Sequence, residues 1–152
     1  MRALIIINEN EFPSKELFEK LENFDVTVAG DMWHEELWEN LSYLNVDAEC
    51  YGSEVGALKA FCDFDHEPYN EFLVLYSTGL EAIDFVEVID EHIFCSNKVC
   101  STTSYVPIYV FDTKVKNYIA PGYENIKEDL FPALVGLNQV NYIRAGGEEF
   151  SG

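Results

Sequence analysis

The stretch EFLVLYSTGLEAIDFVEVIDEH, residues 71–92, decides how this chain folds. Its opening, Phe72-Leu73-Val74-Leu75, is apolar without interruption, the pattern of a strand buried on both faces. Tyr76-Ser77-Thr78-Gly79 breaks that run. Asp84 and Glu87 then have capping-box spacing, with Asp in place of Ser or Thr, and Phe85, Val88, Ile89 and His92 recur on one face of a helix. In an open α/β sheet, ligands gather beyond the carboxyl ends of the strands. This strand therefore delivers Tyr76, Ser77 and Thr78 to the place where a site belongs, without a carboxylate among them.

The same alternation runs outward in both directions. Residues 3–7 form a second continuous apolar run, followed by a helix opened by Pro13-Ser14 with Leu17, Phe18, Leu21 and Phe24 at helical spacing. A strand is expected at 26–29, closed by Gly30; Asp31 then caps a helix whose Trp33, Leu37, Trp38, Leu41 and Leu44 form one core-facing stripe. A strand at 46–51 leads through Gly52 into a helix bearing Val55, Leu58, Phe61 and Cys62. Beyond residue 92 the expectation is a strand at 106–111, a short helix at 112–119, a helix at 124–134 and a closing strand at 139–144. Strands alternating with helices of this length imply βαβ units. The expected fold is one α/β domain over residues 1–152: three layers, with a mainly parallel sheet and helices on both faces.

Composition narrows the function. The 152 residues are 48% apolar and 14% aromatic, which suits a packed core and excludes a disordered chain. There are 28 acidic and 9 basic residues, a formal net charge of −19. Residues 1–94 hold 22 acids and 4 bases, so nearly all of the charge lies there. Direct binding of nucleic acid needs clustered Lys and Arg and is not expected; the open partners are a basic protein surface or solvent alone. No apolar stretch approaches the ~20 residues of a membrane span, and MRALIII is too short for a secretory signal. Cys50, Cys62, Cys95 and Cys100 form no dense framework, so a reducing compartment is expected: the cytoplasm of a bacterium or of a virus-infected host cell.

Several segments, in order, resemble the sugar-nucleotide pyrophosphorylases of the nucleotidyltransferase family, with its GT-A-like Rossmann fold. ALIII (3–7) is similar to that family's first strand, and GSEVGALKAF (52–61) to its Gly-Thr-Ala-Gly-Ala-Leu segment. Residues 71–92 resemble its F-L-V-L-N-G-D strand and acidic helix. PIYVFDTKVKNYI (107–119) and ENIKEDLFPALV (124–135) resemble its later I-Y-V-F strand and E-K-D helix. The resemblance implies a nucleotide-diphospho-sugar transferase-like fold and, in the family, attack of a sugar phosphate on a nucleoside triphosphate held by Mg²⁺.

The residues that would carry this reaction differ here. The family's glycine-rich, basic loop corresponds to Asn8-Glu9-Asn10-Glu11-Phe12-Pro13-Ser14-Lys15, which has no glycine and no arginine. Only Lys15 can stand in for the basic group, and two unbridged carboxylates would repel a polyphosphate. The metal-binding Asp of Asn-Gly-Asp becomes Thr78, an uncharged and poor Mg²⁺ ligand. The second metal Asp falls near residues 146–152, where Glu148 and Glu149 are the carboxylates; the sugar-contacting Asn and Gly fall on Tyr105 and Pro107. The expectation is a degenerate site with no catalytic residues, no metal ligands and no cofactor, Mg²⁺ entering only if the site is active after all. Asn8, Lys15, Gly52, Ser53, Tyr76, Ser77 and Thr78 would line a residual pocket for a weakly held nucleotide or nucleotide sugar.

Three functions compete. The first is a pseudo-nucleotidyltransferase that binds or regulates. The second is an acidic nucleic-acid mimic that inhibits a DNA- or RNA-handling enzyme, as phage anti-defence proteins do. The third is an active nucleotide-sugar enzyme with altered chemistry at Lys15, Glu9 or Glu11, and Glu148 or Glu149. Asp63-Phe64-Asp65-His66 has a D-x-D pattern but precedes a strand rather than ending one, so it reads as a solvated turn. His92, Cys95 and Cys100, with Cys62 and His66, lack the spacing of a common zinc knuckle. No Gly-flanked elbow surrounds a cysteine, though a Cys–His pair stays open, and Asn125 and Asp129 read as caps.

Overall fold

A computed structural model describes residues 2–7, 15–30, 47–50, 53–63, 71–76, 84–95, 97–103 and 108–143. In chain order these form β1 (Arg2–Ile7), α1 (Lys15–Lys20), β2 (Asp25–Gly30), β3 (Asp47–Cys50), α2 (Glu54–Asp63), β4 (Glu71–Tyr76), α3 (Phe85–Cys95), β5 (Cys100–Thr102) and β6 (Ile108–Asp112). A 3₁₀ helix (Thr113–Tyr118), a π-helical turn (Ile126–Leu130), α4 (Phe131–Gly136) and β7 (Val140–Tyr142) follow. The strands make one seven-stranded sheet in the order β3-β2-β1-β4-β6-β5-β7. β6 alone runs against its neighbours β4 and β5; every other pairing is parallel.

The uninterrupted apolar runs become the central strands because both of their faces are covered. Ala3, Ile5 and Ile7 of β1 and Leu73 and Leu75 of β4 point to one face, where they meet Leu17, Phe18 and Leu21 with Phe85, Val88 and Ile89. Leu4, Ile6, Phe72 and Val74 point to the other, beneath Val55, Leu58 and Phe61 of α2 and Ile126, Leu130 and Leu134. Aromatic contacts stitch this second layer: the rings of Phe61 and Phe72 lie 4.9 Å apart, and Tyr109 stacks on Phe111 at 5.5 Å. The three-layer, mainly parallel architecture expected from the sequence is therefore present. No helix among the described residues is long and apolar enough to cross a membrane.

Three local departures have physical causes. β5 was not anticipated: Cys-Ser-Thr is short and lacks strand periodicity, and it becomes a strand by pairing with β6 and β7. The helix expected at 124–134 begins as a π turn, with the Leu130 N–H reaching Asn125 O at 3.3 Å and the Phe131 N–H reaching Ile126 O. Pro132 follows at the start of α4; it offers no N–H to the carbonyl four residues back and its ring crowds that carbonyl, so the helix widens. The helix expected at 112–119 is a 3₁₀ helix. The Trp33–Leu44 stripe lies outside the described residues.

Element ends are set by side chains. Asp84 Oδ1 accepts the Glu87 N–H at 3.1 Å, so the capping-box spacing is used. Asn125 Oδ1 accepts from Glu128 N while Asp129 Oδ2 accepts from the N–H groups of Glu124 and Asn125, each at 2.9 Å. Those two backbone donors hold the Asp129 carboxyl below its ordinary pKa. Gly122, at φ +93°, follows Pro121 in a turn closed by Tyr123 N to Ala120 O, where a type II geometry requires glycine. α4 ends with Asn138 at φ 57°, its N–H on Val135 O and the Gln139 N–H on Leu134 O, a Schellman arrangement that aims the chain into β7.

Candidate functional site

At the carboxyl edge of the sheet, β4 ends on Tyr76 and α2 begins on Glu54, both on the same face. The Tyr76 hydroxyl donates to Glu54 Oε1 at 2.9 Å, and the Ile126 N–H donates to the same oxygen at 3.1 Å. One carboxylate oxygen thus ties β4, α2 and the π turn together. Burial, then the Glu54 charge and its hydrogen bond, raise the Tyr76 phenol far above its ordinary pKa. Tyr76 is accordingly a standing donor. Tyr109, below it, is pushed up to about 12, mainly by burial.

The amino end of α2 is similarly occupied. Ser53 Oγ accepts the Gly56 N–H at 2.9 Å, and Ser53 O accepts from Ala57 N. The Val55 N–H donates to Glu124 O at 3.1 Å. In a phosphate-binding fold such first-turn donors are what an anion uses; here they close onto the chain itself. A side chain at position 56 would meet Ser53 Oγ at 3.1 Å, so the glycine keeps this cap tight.

Of the residues expected to line a pocket, Ser53 and Tyr76 are described, and Glu54 brings them together. Lys15 begins α1, on the opposite layer from α2; its side chain is outside the described residues, as are Asn8, Gly52, Ser77 and Thr78. Glu9, Glu11, Glu148 and Glu149 lie outside them as well. Among the described residues no three His, Cys, Asp or Glu side chains converge to hold a metal ion. Glu54, beside the end of β4, commits Oε1 to two protein donors. Asp63, from the D-x-D pattern, ends α2 at the other edge of the sheet and pairs with Lys116 Nζ at 2.9 Å.

A second polar cluster escaped the sequence reading. His92, 2% exposed, sits on the core face of α3 with Nδ1 2.5 Å from Ser101 Oγ and Nε2 3.2 Å from Asp112 Oδ1. Asn141 Nδ2 donates to Ser101 Oγ at 3.5 Å. All four groups are satisfied if Nε2–H donates to Asp112 and Nδ1 accepts from the Ser101 hydroxyl. The residue types are those of a nucleophilic triad, but Ser101 is 0% exposed and no substrate can reach it. The cluster is a latch between α3 and strands β5, β6 and β7. Its signal was present: a histidine on an apolar helix face needs buried partners. Cys100, adjacent to Ser101, points to the opposite face, so the sheet separates it from His92 and no shared zinc site forms between them.

No protein-family model matches this sequence, and no curated protein matches it. Solved structures do. Glucosyl-3-phosphoglycerate synthase from Mycobacterium tuberculosis, in complex with Mn²⁺, UDP and glucosyl-3-phosphoglycerate, matches at TM-score 0.68 and 9% identity, covering 93% of this chain and 68% of that one. CMP:2-keto-3-deoxy-manno-octonic acid synthetase with CTP matches at 0.62 and 10% identity, covering 96% and 92%. The 4-diphosphocytidyl-2C-methyl-D-erythritol synthase of Anaerococcus prevotii matches at 0.63 and 11%, covering 97% and 88%. At such identities the likeness is one of fold. This chain has the fold of nucleotide-diphospho-sugar transferases and nucleotidyltransferases.

Proposed function

We propose that this protein uses a nucleotidyltransferase-like scaffold to bind rather than to turn over a substrate. The observation that carries this reading is Glu54 Oε1, which takes the Tyr76 hydroxyl and the Ile126 N–H at the edge where a nucleotide would lie. The α2 donors turned onto Ser53 and Glu124 support it further. So do Thr78 in the place of a metal-binding Asp and a first loop without glycine or arginine. Net charge in residues 1–94 favours a basic protein surface as the partner class. A nucleotide or nucleotide sugar would be held weakly at this edge.

Thermal unfolding with nucleoside triphosphates, nucleoside diphosphates and nucleotide sugars, with and without Mg²⁺ or Mn²⁺, tests the reading. A ligand at 100 times its dissociation constant adds about 2.7 kcal/mol of stability. The expected result is a small or absent shift that does not depend on the metal. A large metal-dependent shift with one nucleotide would favour the active enzyme instead.

A further inference from the structure

α3 covers the sheet with Phe85, Val88, Ile89 and His92, and a helix in that position ordinarily turns a polar face to solvent. Its outer face is only partly polar. Phe94 is 83% exposed, Ile93 50% and Val86 46%. A shallow, open depression of about 380 Å³ lies on this face, lined by Val86 and Phe94 together with Asp84, Glu87, Asp90 and Glu91, all from α3 and its cap. Residues 84–95 contain those four carboxylates and no lysine or arginine. Apolar anchors with a rim of one charge sign are the composition of a helix-docking surface rather than of a merely solvated face.

The charge chooses the occupant. Carboxylates repel nucleic-acid phosphates and anionic lipid headgroups, and they attract Lys and Arg. The exposed phenyl and aliphatic side chains need an apolar ridge, which a pure polycation lacks. We propose that the outer face of α3 docks an amphipathic helix of a partner protein, with aliphatic side chains at helical spacing placed on Val86 and Phe94. Its flanking Lys or Arg side chains pair with Glu87 and Asp90. This goes beyond the reading of the strand edge: α3 lies on the sheet face opposite α2, so its outer face is a separate surface from Glu54 and Tyr76.

The full chain is titrated against a fluorescent synthetic peptide with leucines on one helical face and lysines on the other. The control is a scrambled peptide of identical composition. The expected result is saturable binding of the amphipathic peptide, about tenfold tighter than the scrambled one, a difference of about 1.4 kcal/mol. Phe94→Ala and Asp90→Lys, both at exposed positions, each weaken it about tenfold, with circular dichroism and melting temperature unchanged. Equal affinity for both peptides, or undiminished binding by Phe94→Ala and Asp90→Lys, overturns the proposal. So does a lack of saturation. Turnover assays are unaffected by these outcomes, so failure here is distinguishable from failure of the binding reading.

Discussion

Glu54 gives the sharpest perturbation. Its Oε1 accepts from the half-buried Tyr76 hydroxyl and from the N–H of Ile126, a residue with no exposed surface. Glu54→Ala strands both donors; at about 1–3 kcal/mol for each buried group left unpaired, the cost should be roughly 2–6 kcal/mol. Glu54→Gln keeps a carbonyl oxygen in the same place and gives up only charge assistance, about 1 kcal/mol. Tyr76→Phe removes one donor and should also cost about 1 kcal/mol. Urea unfolding of the parent and the three variants, analysed at constant m, measures these differences. In a cycle, Tyr76→Phe combined with Glu54→Ala should cost less than the sum of the single changes. The reasoning is refuted if Glu54→Ala lies within about 0.5 kcal/mol of the parent, the range of ordinary surface substitutions. It is equally refuted if Gln is as damaging as Ala, since charge rather than the shared acceptor would then be the cause.

Four further outcomes follow from the same structure. Ser101→Ala leaves His92 Nδ1 buried without a partner and should cost about 1–3 kcal/mol in urea or thermal unfolding. Cys62 is pushed up to about 12 by burial, with Asp63 adding to it, and Cys100 is raised further. Both thiols should therefore resist iodoacetamide at pH 8 until the chain unfolds, as read by mass spectrometry. For stability the sign is fixed: the Cys62 contribution is intact below about pH 9 and lost as pH rises toward 12, because the unfolded thiol ionises first. Cys62→Ala should flatten that alkaline decline. At Asn138, φ 57°, valine should cost about 1–2 kcal/mol in the left-handed region while glycine is tolerated, measured by thermal unfolding.

Much of the scaffold was legible because the central strands and helix stripes are local patterns. Leu17, Phe18 and Leu21, then Val55, Leu58, Phe61 and Cys62, then Phe85, Val88, Ile89 and His92 are all buried where their spacing placed them. β5 was not legible, since three residues of mixed polarity become a strand only through partners on β6 and β7. The π turn depends on a single proline acting within an otherwise helical pattern. At the edge, the strand end at Tyr76 could be located from its apolar run. Its use could not: Glu54 stands 22 residues from Tyr76 and 72 from Ile126, and only the folded chain brings the three together. The His92 latch was hidden for the same reason, with Ser101 and Asp112 arriving from strands adjacent in space.

The central claim concerns turnover at the carboxyl edge of the sheet. The direct measurement incubates the full chain with each common nucleoside triphosphate and sugar 1-phosphates, with Mg²⁺ or Mn²⁺, and follows pyrophosphate release. Parallel reactions follow sugar release from nucleotide sugars. The binding account predicts no metal-dependent product above the rate without protein. Pyrophosphate or transferred sugar that forms with metal, scales with protein and disappears with chelator would contradict it.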